Sequence, residues 1–153
     1  MRFRKETTFP VPAATLWAFH ERPDAFALLT PPWQKTEILQ PPTSLEVGTV
    51  VILRVRIGPL WQRIVAEHVA YEPGRMFADQ MVEGPFAKWH HVHTVIPRGE
   101  DASTLVDEVE YELPLGALGR IFGAPIARHQ LERLFAHRHE VTRVTCLAMA
   151  GRS

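Results

Sequence analysis

None of the chain's thirteen prolines falls after Pro125, and no glycine interrupts Pro125–Met149. Proline and glycine punctuate the rest of the sequence repeatedly. A stretch of that length at about 1.5 Å per residue predicts a helix about 37 Å long. Pro125 suits a first helical position and Gly151 a stop. The preceding chain is too broken to supply a second element of this reach. Any core therefore has to form against this one helix.

What precedes it reads mainly as strands. Arg2–Phe9 alternates weakly and ends at "PVP", predicting a first strand. Pro12–Phe19 and Asp24–Leu29 predict two short helices, with Asp24 as a cap, and "TPPW" closes the second. Strands are then expected at Gln34–Leu39, Thr49–Ile57, Leu60–Tyr71, Arg75–Val82, Phe86–Ile96 and Thr104–Leu113. The turns between the later strands are "GP", "EPG", "EGP" and "PRGEDAS". Consecutive strands joined by short turns favour an antiparallel meander over βαβ units. The fold class is α+β: a six- to seven-stranded antiparallel sheet curved around the terminal helix. "LPLGALG" is expected to be the flexible bend between them, with a turn at Arg120–Gly123.

One domain spanning 1–153 suits this length, and 46% apolar residues supply a core. Lys+Arg and Asp+Glu both number 17, which excludes the basic excess of a nucleic-acid footprint. The single cysteine, Cys146, excludes an intrachain disulfide and is compatible with a reducing compartment. "MRFRKETTFP" has no apolar signal core, and no apolar run approaches the roughly 20 residues of a membrane span. A cytoplasmic protein without a stable membrane anchor is expected.

Three stretches carry a family resemblance: "FPVPAATLWAFHERPDAFALLTP" (Phe9–Pro31), "MFADQMVEGPFAKWHHVH" (Met76–His93) and "LVDEVEYELPLGALG" (Leu105–Gly119). With the long last helix they resemble the START/Bet v 1-like (SRPBCC) superfamily, in its bacterial polyketide cyclase/dehydrase-like branch. The resemblance implies the helix-grip fold. It also implies a hollow between curved sheet and helix that holds an apolar small molecule or lipid. The fold hosts many activities, so the site has to be argued residue by residue.

Strand alternation sorts "FAKWHHVHTV" (Phe86–Val95) into two faces. Taking "EGP" as a three-residue connection sets Val82 opposite Phe86, Asp79 opposite Trp89, Phe77 opposite His91 and Arg75 opposite His93. Setting Ile96 opposite Thr104 places His93 across from Asp107, His91 from Val109 and Trp89 from Tyr111. One face then carries Arg75, Phe77, Asp79, Trp89, His91, His93, Leu105, Asp107, Val109 and Tyr111. The other carries Met76, Gln80, Lys88, His90, Glu108, Glu110 and Glu112 and reads as solvated. On the helix, Ala127, Leu131, Leu134, Phe135, Val141, Thr145 and Met149 form the apolar face, with Arg138 among them.

The candidate ligand-binding residues are Phe77, Trp89, His91, His93, Asp107, Val109, Tyr111, Leu131, Phe135 and Arg138. Arg138 has three open roles: snorkelling to the rim, pairing with Asp79 or Asp107, or holding an anionic ligand group. An Asp beside an imidazole also suits a general base, so His91, His93 and Asp107 are the candidate catalytic residues. His91, His93 and Asp107 present a possible metal triad, but Arg75 beside His93 opposes it; no metal and no cofactor are assigned. Binding of a hydrophobic molecule is favoured. A cyclase/dehydratase-type enzyme is the alternative, and a protein-interaction module, with a large exposed apolar patch and no open cavity, is the third.

Overall fold

The computed structural model describes residues 1–152; Ser153, within the expected 1–153 domain, lies outside the described residues. The strands are β1 (Arg2–Phe9), β2 (Thr36–Gln40), β3 (Val50–Ile57), β4 (Leu60–Glu72), β5 (Met76–Glu83), β6 (Lys88–Pro97) and β7 (Ser103–Glu112). Helices α1 (Ala13–Glu21) and α2 (Ala25–Leu29) follow β1. Helix α3 (Gly116–Leu118), a π-helical turn (Gly119–Gly123) and α4 (Ala124–Met149) follow β7. The sheet order is β1-β7-β6-β5-β4-β3-β2, antiparallel throughout. Sheet and long terminal helix form the helix-grip fold.

The meander β2 to β7 follows from the short turns, but the pairing of β1 with β7 is non-local. It sets Phe3 opposite Val109, Lys5 opposite Asp107 and Thr7 opposite Leu105. The outer glutamates of β7 find partners there: Arg2 lies 3.0 Å from Glu110 and Arg4 3.6 Å from Glu108. Both pairs are exposed and contribute at most about 1 kcal/mol each.

Two buried clusters fill the space between sheet and helices. One gathers Phe9, Val11, Leu16, Trp17, Phe19 and Phe77 with Cys146 of α4. The other joins Phe3, Val109 and Tyr111 to Leu131 and Phe135. The fully buried side of α4 is Leu131, Phe135, His139, Thr142 and Cys146, so the expected stripe through Val141, Thr145 and Met149 is corrected. The stripe turns polar where it meets polar groups of the sheet. Cys146 has no exposure, and burial pushes its thiol up to about 11. It should resist a thiol reagent such as DTNB in the native protein and react fully once unfolded; rapid native labelling would contradict this packing.

Several local expectations change. Asp24 makes no side-chain cap for α2 and instead accepts two hydrogen bonds from Arg22. The expected flexible bend "LPLGALG" is largely helical, and the π-helical turn lengthens the terminal helix backwards from Ala124. The change of direction is concentrated at Leu115, which is left-handed at φ 68°, and Gly116, at φ 54°. Gly119 cannot be replaced without movement, because a Cβ there would overlap the Pro114 carbonyl. Around this bend Leu115, Leu118, Ile121, Phe122 and Ile126 are all exposed. Among the described residues, no helix is long and apolar enough to cross a membrane.

Candidate functional site

The inner face of β6 and β7 carries the chemistry. The expected pairing of these strands is observed: His93 with Asp107, His91 with Val109 and Trp89 with Tyr111. The β5–β6 register is corrected by two residues, with Phe77 opposite His93 and Asp79 opposite His91. The connection is longer than "EGP", since β5 ends at Glu83 and β6 begins at Lys88. A slip of two preserves which face each side chain occupies, whereas a slip of one would have inverted it. Arg75 drops out of the site. It precedes β5, is exposed, and pairs with Glu72 at 2.5 Å.

Asp107 is the centre of the network. Its Oδ1 accepts a hydrogen bond from His91 Nε2 at 2.8 Å and lies 2.8 Å from His93 Nδ1. Its Oδ2 accepts from His139 Nε2 at 2.7 Å, and His139 Nδ1 lies 2.7 Å from the Thr7 hydroxyl. An ionised carboxylate only accepts, so His139 carries a proton on Nε2. One carboxylate thus ties β7, β6 and α4 together, and His139 extends the tie to β1. A second carboxylate, Asp79, closes the other side. Its Oδ2 is 3.5 Å from His91 Nδ1 and 3.4 Å from His93 Nε2. The side chains of His91, Asp107 and His139 are at most 4% exposed, against 13% for His93 and 18% for Asp79. The network therefore opens on the Asp79–His93 side.

Aromatic rings wall it. Phe77 stacks on His93 with centroids 4.1 Å apart, and Phe135 meets His91 edge-on at 5.1 Å. His20, from α1, lies 5.8 Å from Phe77 and 6.1 Å from His93. In this dry setting charge decides protonation. Desolvation alone would hold Asp107 neutral, but the His93 charge and the imidazole hydrogen bonds drive its carboxyl well below the usual range. Desolvation likewise opposes a charge on His93. The Asp107 carboxylate, with Asp79 behind it, outweighs that opposition and raises the imidazole to about 9. His91 goes the other way, lowered by burial and by the charge on His93.

Of the candidate residues, His91, His93 and Asp107 are brought into contact. Phe77 and Phe135 pack on that trio. Trp89, Val109, Tyr111 and Leu131 form the neighbouring apolar cluster, where Phe86 packs edge-on to Tyr111. The space expected to be a hollow is occupied at this level by these side chains. Tyr111 alone of the candidates also lines a cleft of ≈ 580 Å³, together with Met1, Arg2, Arg120, Ile121, Ala124, Pro125 and Arg128. Arg138 forms no ion pair with either aspartate among the described residues. Its guanidinium sits 5.4 Å from the Phe135 ring centroid, and its Nε is buried without a partner. The sequence reading passed over His139, His20 and Thr7. The spacing Leu131–Phe135–His139 was the available signal for the first, because i and i+4 positions share a helix face.

The likeness to known proteins is consistent with this architecture. The family described as "Polyketide cyclase / dehydrase and lipid transport" matches residues 9–135. The chain belongs to this family. No curated protein sequence matches. Among solved structures, norcoclaurine synthase from Thalictrum flavum, in complex with dopamine and hydroxybenzaldehyde, is 18% identical with a TM-score of 0.71, covering 100% of this chain and 88% of its own. The Zhui aromatase/cyclase from Streptomyces sp. R1128 is 18% identical with a TM-score of 0.66, covering 99% and 93%. A START superfamily protein from Mycobacterium smegmatis is 14% identical with a TM-score of 0.65, covering 97% and 98%. At these identities the likeness is one of fold. For a member of the polyketide cyclase/dehydrase and lipid transport family, hydrophobic ligand binding or cyclase chemistry is supported at the level of the family.

Proposed function

We propose that the chain binds an apolar small molecule or lipid carrying an anionic or strongly polar end, admitted between the start of α4 and the β1–β7 end of the sheet. The observation that carries this reading is the cleft of ≈ 580 Å³ between those elements. It is of ordinary size for a small-molecule site. Tyr111 connects it to the Phe3–Val109–Phe135 cluster, and Arg2, Arg120 and Arg128 give it a cationic rim. Ile121, one of the exposed apolar residues between Leu115 and Ile126, lines the same cleft. Outside the cleft, Arg138 holds a buried guanidinium nitrogen without a hydrogen-bond partner among the described residues.

Delipidated protein should bind one member of a panel of fatty acids, quinones and aromatic polyketides at one equivalent, followed by tryptophan fluorescence. Ile121→Glu, an exposed position in the cleft wall, should weaken that binding at least tenfold without changing the circular dichroism. Absence of binding across the panel, with no hydrophobic molecule retained from host extract in native mass spectrometry, would refute the reading. If the exposed apolar run instead captures a second protein chain, the interaction module takes its place.

A second reading, a cyclase or dehydratase, is favoured by the His91–Asp107–His139 arrangement. A carboxylate that fixes imidazole tautomers is what a proton-transfer site requires. In that case His93→Gln and Asp107→Asn should abolish turnover of the bound molecule while leaving its affinity within severalfold.

A further inference from the structure

We propose that Asp79 Oδ2, His91 Nδ1 and His93 Nε2 form a binding site for one divalent transition-metal ion of the zinc or cobalt type, with a fourth position left open. The three residues come from adjacent strands, and one ligand atom of each lies within 4.8 Å of the others. The Asp79 oxygen is 3.5 Å from one nitrogen and 3.4 Å from the other. Donors held at about 2.1 Å around a tetrahedral ion are about 3.4 Å apart, so these separations suit such an ion. They are longer than hydrogen bonds.

The far side of the imidazoles explains why these nitrogens are available. His91 Nε2 donates to Asp107 Oδ1 at 2.8 Å, which leaves Nδ1 with a lone pair 3.5 Å from Asp79 Oδ2. His93 Nδ1, 2.8 Å from the same carboxylate oxygen, carries hydrogen there, so Nε2 is the nitrogen that can give up its proton to a metal ion. Two imidazole nitrogens and a carboxylate oxygen thus converge, and a metal ion that displaces the Nε2 proton of His93 would be held among them. A carboxylate behind each ligating histidine is also the usual support of a metal site, fixing tautomer and ring orientation. Here one residue, Asp107, supports both, and it is itself held by His139 at 2.7 Å. His68 faces the same region. It is the strand partner of Asp79, 95% buried by its 5% exposure, and its Nδ1 has no hydrogen-bond partner.

The structure also removes the sequence-level objection to a metal. Arg75, expected beside His93, lies on the surface with Glu72. The carboxylate ligand is Asp79 rather than Asp107. A bound ion would replace any proton held between these groups, since ligating nitrogens are deprotonated.

The test uses the full chain, purified without metal affinity, stripped with chelator, and titrated with Co²⁺ and then Zn²⁺ in the absence of any organic ligand. One equivalent of Co²⁺ should bind with micromolar affinity or tighter, giving the intense visible bands of a four-coordinate site, and Zn²⁺ should abolish them. Asp79→Asn and His93→Gln should each weaken binding more than about 100-fold, since loss of supporting groups alone costs about 10–100-fold. His90→Gln, on the opposite face, should leave it unchanged. Lack of saturable one-equivalent binding, or binding equal in the wild type and both variants, would overturn the proposal. If a variant fails to fold, the wild-type cobalt spectrum decides. Because no organic ligand is present, this outcome is independent of the small-molecule reading.

Discussion

Asp107→Leu should destabilise the protein by about 4 kcal/mol, within the range of about 3–5 kcal/mol for breaking a buried charged network. The replacement is similar in size and apolar, so packing is largely kept. What is lost is the acceptor for His91, His93 and His139, all held within 2.8 Å of one carboxylate. Each buried donor left unpaired costs about 1–3 kcal/mol. At about 2–4 °C per kcal/mol for a domain of this size, the melting temperature should fall by roughly 10–15 °C. Asp107→Asn should cost about half as much, because it keeps an acceptor at Oδ1 and His139 can reverse its tautomer towards Thr7. Urea denaturation of the two variants measures both. An Asp107→Leu protein within 1 kcal/mol of wild type would mean that the network does not hold α4 to the sheet.

Acidification should destabilise the protein well above the carboxylate range, and His20 is a main cause. Its ring is buried in α1, its Nδ1 lies 2.9 Å from the Leu16 carbonyl, and Phe19 and Phe77 pack against it. Burial, then the charge on His93, lowers it from 6.5 to about 4, against weaker raising contributions from the Leu16 carbonyl and Asp107. Between those two values the unfolded chain binds a proton that the folded chain refuses. The stability from keeping His20 neutral is therefore full above pH 6.5 and is lost as pH falls towards 4. The difference is about 3 kcal/mol, with a slope near 1.4 kcal/mol per pH unit. His68 and His91 are lowered in the same direction. Unfolding free energies measured from pH 7 to pH 4 should fall steeply, and His20→Phe should flatten the slope. Equal slopes in wild type and variant would rule out this role for His20.

The site was partly legible because a strand repeats every two residues. Alternation alone placed Trp89, His91 and His93 together on the face opposite His90, and the short link to β7 put Asp107 beside them. The β5 register escaped because "EGP" suggested a tighter turn than the one observed, and that error carried Arg75 into the site. His139 escaped for a different reason. An apolar stripe selects apolar residues, and a histidine belongs to the buried side of a helix only when the opposing surface supplies an acceptor. That acceptor is Asp107, 32 positions away in sequence.

Local chemistry therefore determined the elements: the unbroken stretch to Met149, the meander with its turns, and the inward and outward faces of β6 and β7. Each depends on neighbours a few positions apart, which a sequence records directly. Tertiary structure alone decided that β1 closes the sheet against β7, that Asp79 faces both imidazoles, and that Asp107 is shared among three histidines. Those contacts depend on where distant segments settle when the apolar surfaces of sheet and helix are buried together. Only after that burial does a carboxylate acquire the partners that make it a site.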